Sequence, residues 1–183
     1  MSVSIALCTY NGEQFIRKQI ESYLNQTVLP DEIIVCDDGS GDCTPAIAQQ
    51  YAAANPGIER IMIRNEIRLG TSQNFDQAIA RCRGEFIFLS DQDDIWEKEK
   101  IEQTLIFFDK NPDCEGCFSN ASLIDDSDRE LPETLLDHSF FKAPARKEYK
   151  KDDLLYWSIL MGNLITGATM AIRRTALAVI LPF

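Results

Sequence analysis

Residues 32–51 read EIIVCDDGSGDCTPAIAQQY. The run from Glu32 to Cys36 is short, apolar and rich in β-branched residues, which suits a strand buried on both faces rather than a helix. Asp37-Asp38-Gly39-Ser40 is a turn, and Thr44-Pro45 offers a cap and a first helical position for a helix reaching Tyr51 or beyond. The same cadence recurs on both sides. Val3–Cys8 (VSIALC) is a near-continuous apolar run. Asn11 follows with Gln14 three residues on, a capping-box variant, and Phe15, Ile16, Ile20, Tyr23 and Leu24 then recur at helical spacing. Leu29-Pro30-Asp31 breaks that helix. Ile58–Ile63 is a third strand, and Leu69-Gly70-Thr71 turns into a helix with Phe75, Ala78, Ile79 and Cys82 on one face. Gly84 ends it, and Glu85–Leu89 is a fourth strand.

Short apolar strands alternating with amphipathic helices specify an α/β fold, a mainly parallel sheet covered on both faces. Right-handed crossovers bring the carboxyl ends of the strands to one edge, where open sheets of this kind bind ligands. The loops expected there are 8–13, 37–42, 64–70 and 90–96. Beyond them, Glu97–Phe108 reads as a helix, a strand lies near Cys117–Ile124, and residues 125–150 form a polar excursion. Asp152–Ile159 reads as a short helix, Gly167–Ile172 as a strand and Arg174–Leu181 as the start of another helix. The length of 183 residues suits one domain.

The net charge of −11 and the absence of a basic stripe argue against a nucleic-acid binder. Of six cysteines, Cys8, Cys36 and Cys82 lie in apolar runs and read as small core residues. Cys114-Glu-Gly-Cys117 raises zinc or redox chemistry, but no second pair accompanies it and His138 is the only histidine, so a plain pair at a strand start in a reducing cytosol is the better reading. MSVSIALCTYNGE has no basic region and only a short apolar run, unlike a signal peptide. The window Leu154–Ile172 carries Asn163, two glycines and several hydroxyls, and reads as buried core rather than a membrane span.

Candidate chemistry concentrates where the strands end. The fourth strand runs into Asp91, Asp93 and Asp94 within LSDQDDIW. Clustered carboxylates repel unless a cation or donor sits among them, and hard divalent ions want such oxygens. A solvated acidic turn suited to the dipole of the following helix is the plain alternative. Asp38 at the second strand's end can accept from a base N–H or a ribose hydroxyl. Gly39-Ser-Gly41 resembles the opening of a dinucleotide fingerprint, but Thr44 replaces the third glycine and three aspartates would face the pyrophosphate. Cys8, Thr9, Tyr10, Asn11 and Glu13 offer hydroxyls, an aromatic face and backbone N–H groups beside the first strand, and Arg68 is a candidate phosphate contact. Asp125-Asp126-Ser127-Asp128 looks similar but has no buried strand behind it, so it reads as a solvated loop.

Taken together, LCTYNGEQFIRKQIESYLNQT, EIIVCDDGS, RLGTSQNF, GEFIFLSDQDDIW and GNLITGATMAIRR resemble the inverting glycosyltransferases of family 2, which have the GT-A fold. The rhamnosyltransferase-like bacterial members that make cell-surface polysaccharide are the nearest in pattern. The resemblance runs from Val3 to about Arg174. It implies a nucleotide-diphosphate sugar donor, a divalent metal (Mn²⁺ or Mg²⁺) and transfer with inversion to the hydroxyl of a saccharide or lipid-linked saccharide. It further implies that Cys8, Thr9, Tyr10, Asn11, Glu13, Asp38, Arg68 and Asp91 serve the nucleotide sugar. The resemblance also makes Asp93 the expected main metal contact, with Asp91 expected to share the metal or face the ribose and Asp94 to give weaker support. Cys8 departs from the proline common at its position. The family's base lies on a helix after the strand resembling ITGATMAIRR, and no matching carboxylate is present; Asp152 and Asp153 precede that strand. The chain is therefore expected to be the donor-binding part of a longer cytoplasmic protein, poor in turnover by itself, with any peripheral membrane association carried by the missing region. Two alternatives are a non-catalytic nucleotide-sugar-binding module of the same fold and a dinucleotide-dependent oxidoreductase.

Overall fold

The computed structural model describes residues 1–54, 57–125, 127–137 and 166–181. It comprises two compact units, one of Met1–Cys117 with Met170–Phe183 and one of Phe118–Thr169. The first unit alternates strands and helices: β1 (Val3–Thr9), α1 (Ile16–Leu24), β2 (Glu32–Asp37), α2 (Thr44–Ala54), β3 (Glu59–Arg64), α3 (Thr71–Arg81), β4 (Phe86–Ser90) and α4 (Lys100–Lys110). Three short strands follow, β5 (Gly116–Phe118), β6 (Ser122–Ile124) and β7 (Glu130–Thr134), and later β8 (Met170–Arg173). The main sheet has the order β3-β2-β1-β4-β8-β5. β1 pairs in parallel with β2 and β4, β2 in parallel with β3, and β8 runs antiparallel to β4.

β1 shows why the apolar runs are continuous. All seven of its residues are buried, and they alternate between two cores. Val3, Ile5 and Leu7 pack with Ile16, Ile20 and Tyr23 of α1, Ala48 of α2, and Ile101, Leu105 and Phe108 of α4. Ala6 and Cys8 pack with Phe75, Ala78 and Ile79 of α3 and with Ile172. Both faces are covered, so neither tolerates a polar alternation. β3 lies at the sheet edge, and several of its residues are exposed accordingly.

The helix starts differ from expectation. Asn11 is not a cap: it has a left-handed backbone (φ 49°), and its side chain accepts from Gly41 N–H at 2.9 Å. α1 starts five residues beyond Asn11, at Ile16, after a turn in which Gly12 O accepts from Phe15 and Ile16. Thr44 opens α2, but its hydroxyl accepts from Gly12 N–H at 2.8 Å, and Asp42 accepts from Thr44 N–H. α4 begins at Lys100 rather than Glu97. Gln26 reaches in from the end of α1, accepting from Ile101 N–H and donating to Glu97 O, and so caps the helix from a distance.

The single strand expected near 117–124 is two. Backbone donors of the second unit turn away at the break: Ser119 N–H goes to Thr169 O, and β6 pairs instead with β7. Asp125 closes that hairpin, accepting from Ser127 and Arg129 N–H, a loop role as expected for this acidic group. Residues Gly167–Thr169 form a 3₁₀ turn, because Thr169 hydrogen-bonds back to Thr166 O, so β8 starts only at Met170. Arg174–Ala176 is a 3₁₀ turn before a last helical turn, Leu177–Ile180. The helix expected at 152–159, Asp152, Asp153, His138 and most of the apolar window at 154–172 lie outside the described residues. No helix among the described residues is long and apolar enough to cross a membrane. All six cysteines are free, with Cys8, Cys36 and Cys82 buried.

At the amino-terminal edge of the sheet, buried Glu32 ties three elements. Its carboxylate accepts from Ser4 Oγ (2.5 Å), Arg83 N–H (2.5 Å) and Gly84 N–H (3.2 Å), and from the Arg83 guanidinium. Gly84 is required by this close approach, since a Cβ there would meet Ser4 Oγ at 2.5 Å and Ser4 N at 2.7 Å. Burial opposes the Glu32 charge, yet these donors together hold its carboxyl below the usual range. A depressed folded pKa means that the stabilisation is whole at neutral pH and is lost as the pH falls through that pKa. Glu32→Gln is therefore expected to cost about 1.5–3 kcal/mol at neutral pH, as for hydrogen bonds to a charged group. In urea titrations the gap between wild type and variant should close in acid; a gap independent of pH would contradict this account.

Candidate functional site

The parallel register brings the ends of β1, β2 and β4 level, with Thr9 opposite Asp37 and Leu7 opposite Ser90. Between their loops lies an open cavity of about 330 Å³. β1 and its loop contribute Cys8, Thr9 and Tyr10; the β2 loop contributes Asp38; the loop before α3 contributes Arg68 and the start of α3 Thr71 and Asn74; the β4 turn contributes Asp91, Gln92 and Asp93. Seven of the residues singled out from sequence thus meet at one place. Asn11 and Glu13 do not line it. They brace the loops behind it, Asn11 through Ser40 and Gly41, Glu13 through Asp42 and Cys43 N–H.

The two aspartates of the β2 loop divide the work. Asp37 is fully buried and accepts from Thr9 Oγ1, Ser40 Oγ and Ser40 N–H, so it shapes the turn. Asp38 braces the opposite loop. Its Oδ1 accepts from Leu69 N–H (2.8 Å) and Asn65 (3.0 Å), its Oδ2 from Gly70 N–H (2.9 Å), with Arg68 Nε 4.0 Å away. Burial disfavours the Asp38 charge, but these donors outweigh it and hold the carboxyl below its usual range. A carboxylate has about four lone-pair positions, so Asp38 keeps little capacity for a further donor. Arg68 also lies 4.1 Å over the Tyr10 ring, a cation–π contact at the cavity wall. Cys8 is nearly buried, and desolvation pushes its thiol far up, so it is an inert neutral wall rather than a nucleophile.

The acidic turn after β4 has the opposite electrostatics. Asp91 is pushed up by burial and by the charge of Asp93. Asp94 is pushed to about 6 by burial and by both neighbours, with Lys100 opposing. Asp94 is not on the cavity wall, and its Oδ2 is enclosed without a hydrogen bond. A half-buried carboxylate, Asp91, facing the same cavity as the exposed and repelling carboxylate of Asp93 is a donor set that a hard cation would relieve. Among the described residues no three His, Cys, Asp or Glu side chains converge as a metal cage. Asp91 and Asp93 therefore fit an ion that takes its other ligands from water and a bound phosphate, the usual habit of magnesium.

Beneath the turn lies a polar network inside an apolar core. Tyr23, Gln19 and Ser90 are each fully buried. Gln19 donates to Tyr23 Oη (2.7 Å) and Ser90 Oγ (2.6 Å), Tyr23 and Ser90 share a 2.5 Å bond, and Ser90 donates to Asp91 O at 3.0 Å. Helix α1 is thereby pinned to the backbone of the acidic turn. Sequence reasoning did not find Thr71, Asn74 or Gln92. Asn74 had a signal, a polar residue on the apolar face of α3; it is buried and donates to Cys36 O. Gln92 had none, because only the folded chain shows what its amide reaches. The rival dinucleotide reading meets Asp42, whose carboxylate already accepts from Thr44 N–H at the start of α2, where a pyrophosphate would bind.

Comparison with known proteins bears on the family and the fold. A family model described as "Glycosyl transferase family 2" matches residues 4–180. The chain belongs to glycosyl transferase family 2. A putative teichuronic acid biosynthesis glycosyltransferase, TuaG of Bacillus subtilis, is 29% identical over 172 residues, covering 94% of this chain and 62% of the relative. Among solved structures, S. aureus TarS 1-349 in complex with UDP superposes with a TM-score of 0.67 at 20% identity, over 97% of this chain and 48% of that one. Mannosyltransferase PcManGT from Pyrobaculum calidifontis, in complex with GDP-Man and Mn²⁺, gives 0.66 at 16% identity, over 96% and 45%. The fold is GT-A, with the mixed, mainly parallel sheet expected from sequence. The chain spans about half the length of curated relatives it matches, for example 46% of a Mycobacterium bovis relative that is 29% identical over 165 residues.

Removing the Ser90 hydroxyl leaves two buried donors short of a partner. Ser90→Ala is expected to cost about 1–3 kcal/mol of unfolding free energy. Urea unfolding followed by tryptophan fluorescence reads this, because Trp96 packs 4.7 Å from the Tyr23 ring; an unchanged midpoint would mean the network contributes nothing net.

Proposed function

We propose that this chain is the donor-binding part of a metal-dependent glycosyltransferase. It would hold a nucleotide-diphosphate sugar for inverting transfer to an acceptor hydroxyl in cell-surface polysaccharide synthesis. The observation that carries the reading is the convergence of Asp91 and Asp93 with Tyr10, Asp38 and Arg68 on one cavity at the carboxyl edge of the sheet. TuaG supports a polysaccharide setting, and the neighbours whose titles name UDP, GDP-Man and Mn²⁺ support the donor class and the metal.

The roles divide as follows. Tyr10 and the β1 end flank the base. Asp38 holds the 69–70 loop against the site and offers its remaining lone pair to the base. Arg68 supplies positive charge near the phosphates and is exposed enough to move onto them. Asp91 and Asp93 hold the cation, with Asp91 also within the ribose side of the cavity. The cation, when bound, supplies charge neutralisation for the departing diphosphate. The acceptor's proton needs a carboxylate base. Residues 174–183 contain none, so the proposal assigns the base to no residue of this chain.

Thermal-shift and calorimetric titrations with UDP, GDP and dTDP, with and without Mn²⁺, test the reading. One nucleotide should bind in a metal-dependent way, adding about 2.7 kcal/mol of stability at 100 times its Kd. Asp93→Asn should abolish the metal-dependent part while leaving the fold intact. Equal affinity with and without Mn²⁺ would remove the metal from the account, and a fluorescence titration showing NADH binding in place of nucleoside diphosphates would favour an oxidoreductase. Robust transfer by residues 1–183 would place the base within this chain.

A further inference from the structure

The middle residue of the Asp-x-Asp turn makes a contact that the donor-site reading leaves unused. Gln92 reaches across the cavity floor to the β1 loop, 82 positions away in sequence, and engages both main-chain groups of Tyr10. Tyr10 N–H donates to Gln92 Oε1 at 2.8 Å, and Gln92 Nε2 donates to Tyr10 O at 2.9 Å. A primary amide is the side chain suited to this, since it presents one acceptor and one donor side by side. The two hydrogen bonds leave Gln92 little rotational freedom, and through its backbone they set Asp91 and Asp93 on either side.

A second observation concerns Gly12, which does not line the cavity. A Cβ built on Gly12 would lie 2.2 Å from Gln92 Cδ and Oε1 and 2.7 Å from Nε2. The three atoms nearest that Cβ position all belong to the Gln92 amide, and the Gly12 backbone is not in the left-handed region. The glycine is therefore needed for the room that the Gln92 amide occupies, and not for its own backbone conformation. Gly12 and Gln92 form a matched pair: one supplies the space, the other the clamp.

We infer that Gln92 is a positioning residue that locks the nucleobase side of the donor site, at Tyr10, to the metal side, at Asp91 and Asp93, with Gly12 as its required partner. The inference rests on the donor-site reading above. Any ligand spanning both halves, a nucleoside diphosphate with its divalent cation, binds a site whose two halves are held at a fixed spacing. Without the clamp, that spacing must be set at the moment of binding, and the ordering cost falls on affinity.

The test is a double-mutant cycle on Gly12→Ala, Gln92→Ala and the pair. The readout is the Kd of the nucleoside diphosphate selected by the panel above, measured with Mn²⁺ by calorimetry. Each single variant should weaken binding on the order of 10-fold, the worth of one to two hydrogen bonds. The double variant should be no weaker than Gln92→Ala alone, because Gly12→Ala acts only through the displaced amide. Gln92→Glu, which keeps the acceptor for Tyr10 N–H and loses the donor, should fall between wild type and Gln92→Ala. Single variants that bind like wild type, or effects that multiply in the double variant, would overturn the clamp. A merely structural role would lower the melting temperature while leaving the Kd of the folded protein unchanged, and that result also overturns it. Failure of the wild type to bind any nucleotide with Mn²⁺ would instead refute the donor-site reading itself, a distinct outcome that removes the ligand-positioning role with it.

Discussion

Strand β1 is hydrogen-bonded on both sides to parallel partners and buried on both faces, and the rest of the structure depends on that constraint. A slip of one residue would exchange its two sets of side chains between the cores and cannot be absorbed. Thr9 is therefore held opposite Asp37, and the turn after Ser90 ends beside them. The same register that buries Ile5 and Leu7 in one core and Ala6 and Cys8 in the other also fixes where Tyr10, Asp38 and Asp91 emerge. Core packing and site geometry are two results of one alignment.

The carboxylates of this acidic chain fall into two kinds. Glu32, Asp37 and Asp38 are buried and surrounded by donors, both backbone N–H groups and side chains. They work as struts between elements, and for Glu32 and Asp38 the donors hold the carboxyl below its ordinary range. Asp91 and Asp94 are shielded from water without such donors, and burial with mutual repulsion moves them the other way. Satisfied carboxylates spend their charge on the fold. The unsatisfied ones after β4 are left for something the chain does not itself contain, and the cavity in front of Asp91 and Asp93 gives it a place. The network of Gln19, Tyr23 and Ser90 beneath the turn holds that backbone from inside the core, while Gln92 holds it from the cavity side.

The main elements were legible in the sequence because their signals are local and redundant. Unbroken apolar runs, helical spacing of Ile16, Ile20 and Tyr23, and glycine or proline between them agree on one architecture. What failed is equally specific. Asn11 and Thr44 have the chemistry of caps, but each spends its side chain on a neighbouring loop, Asn11 on Gly41 and Thr44 on Gly12. The true cap of α4 is Gln26, which belongs to a different element. Motif resemblance pointed to Cys8, Thr9, Tyr10, Asp38, Arg68, Asp91 and Asp93, which the fold assembles around one cavity, and also to Asn11 and Glu13, which lie behind it as braces.

By itself, then, the sequence determined the alternation of strands and helices, the parallel sheet and the edge at which acidic and aromatic loops would meet, because hydrophobic periodicity and turn chemistry act over a few residues. Only the tertiary structure decided which polar side chains face the cavity and which tie loops together. Asp37 and Asp38 are adjacent and chemically identical, yet one closes its own turn and the other braces a loop some thirty positions away. Gln92 and Gly12 meet only because two parallel strands end side by side. Hydrogen-bond partners of that range are set by strand register and loop approach, and no local pattern of residues encodes them.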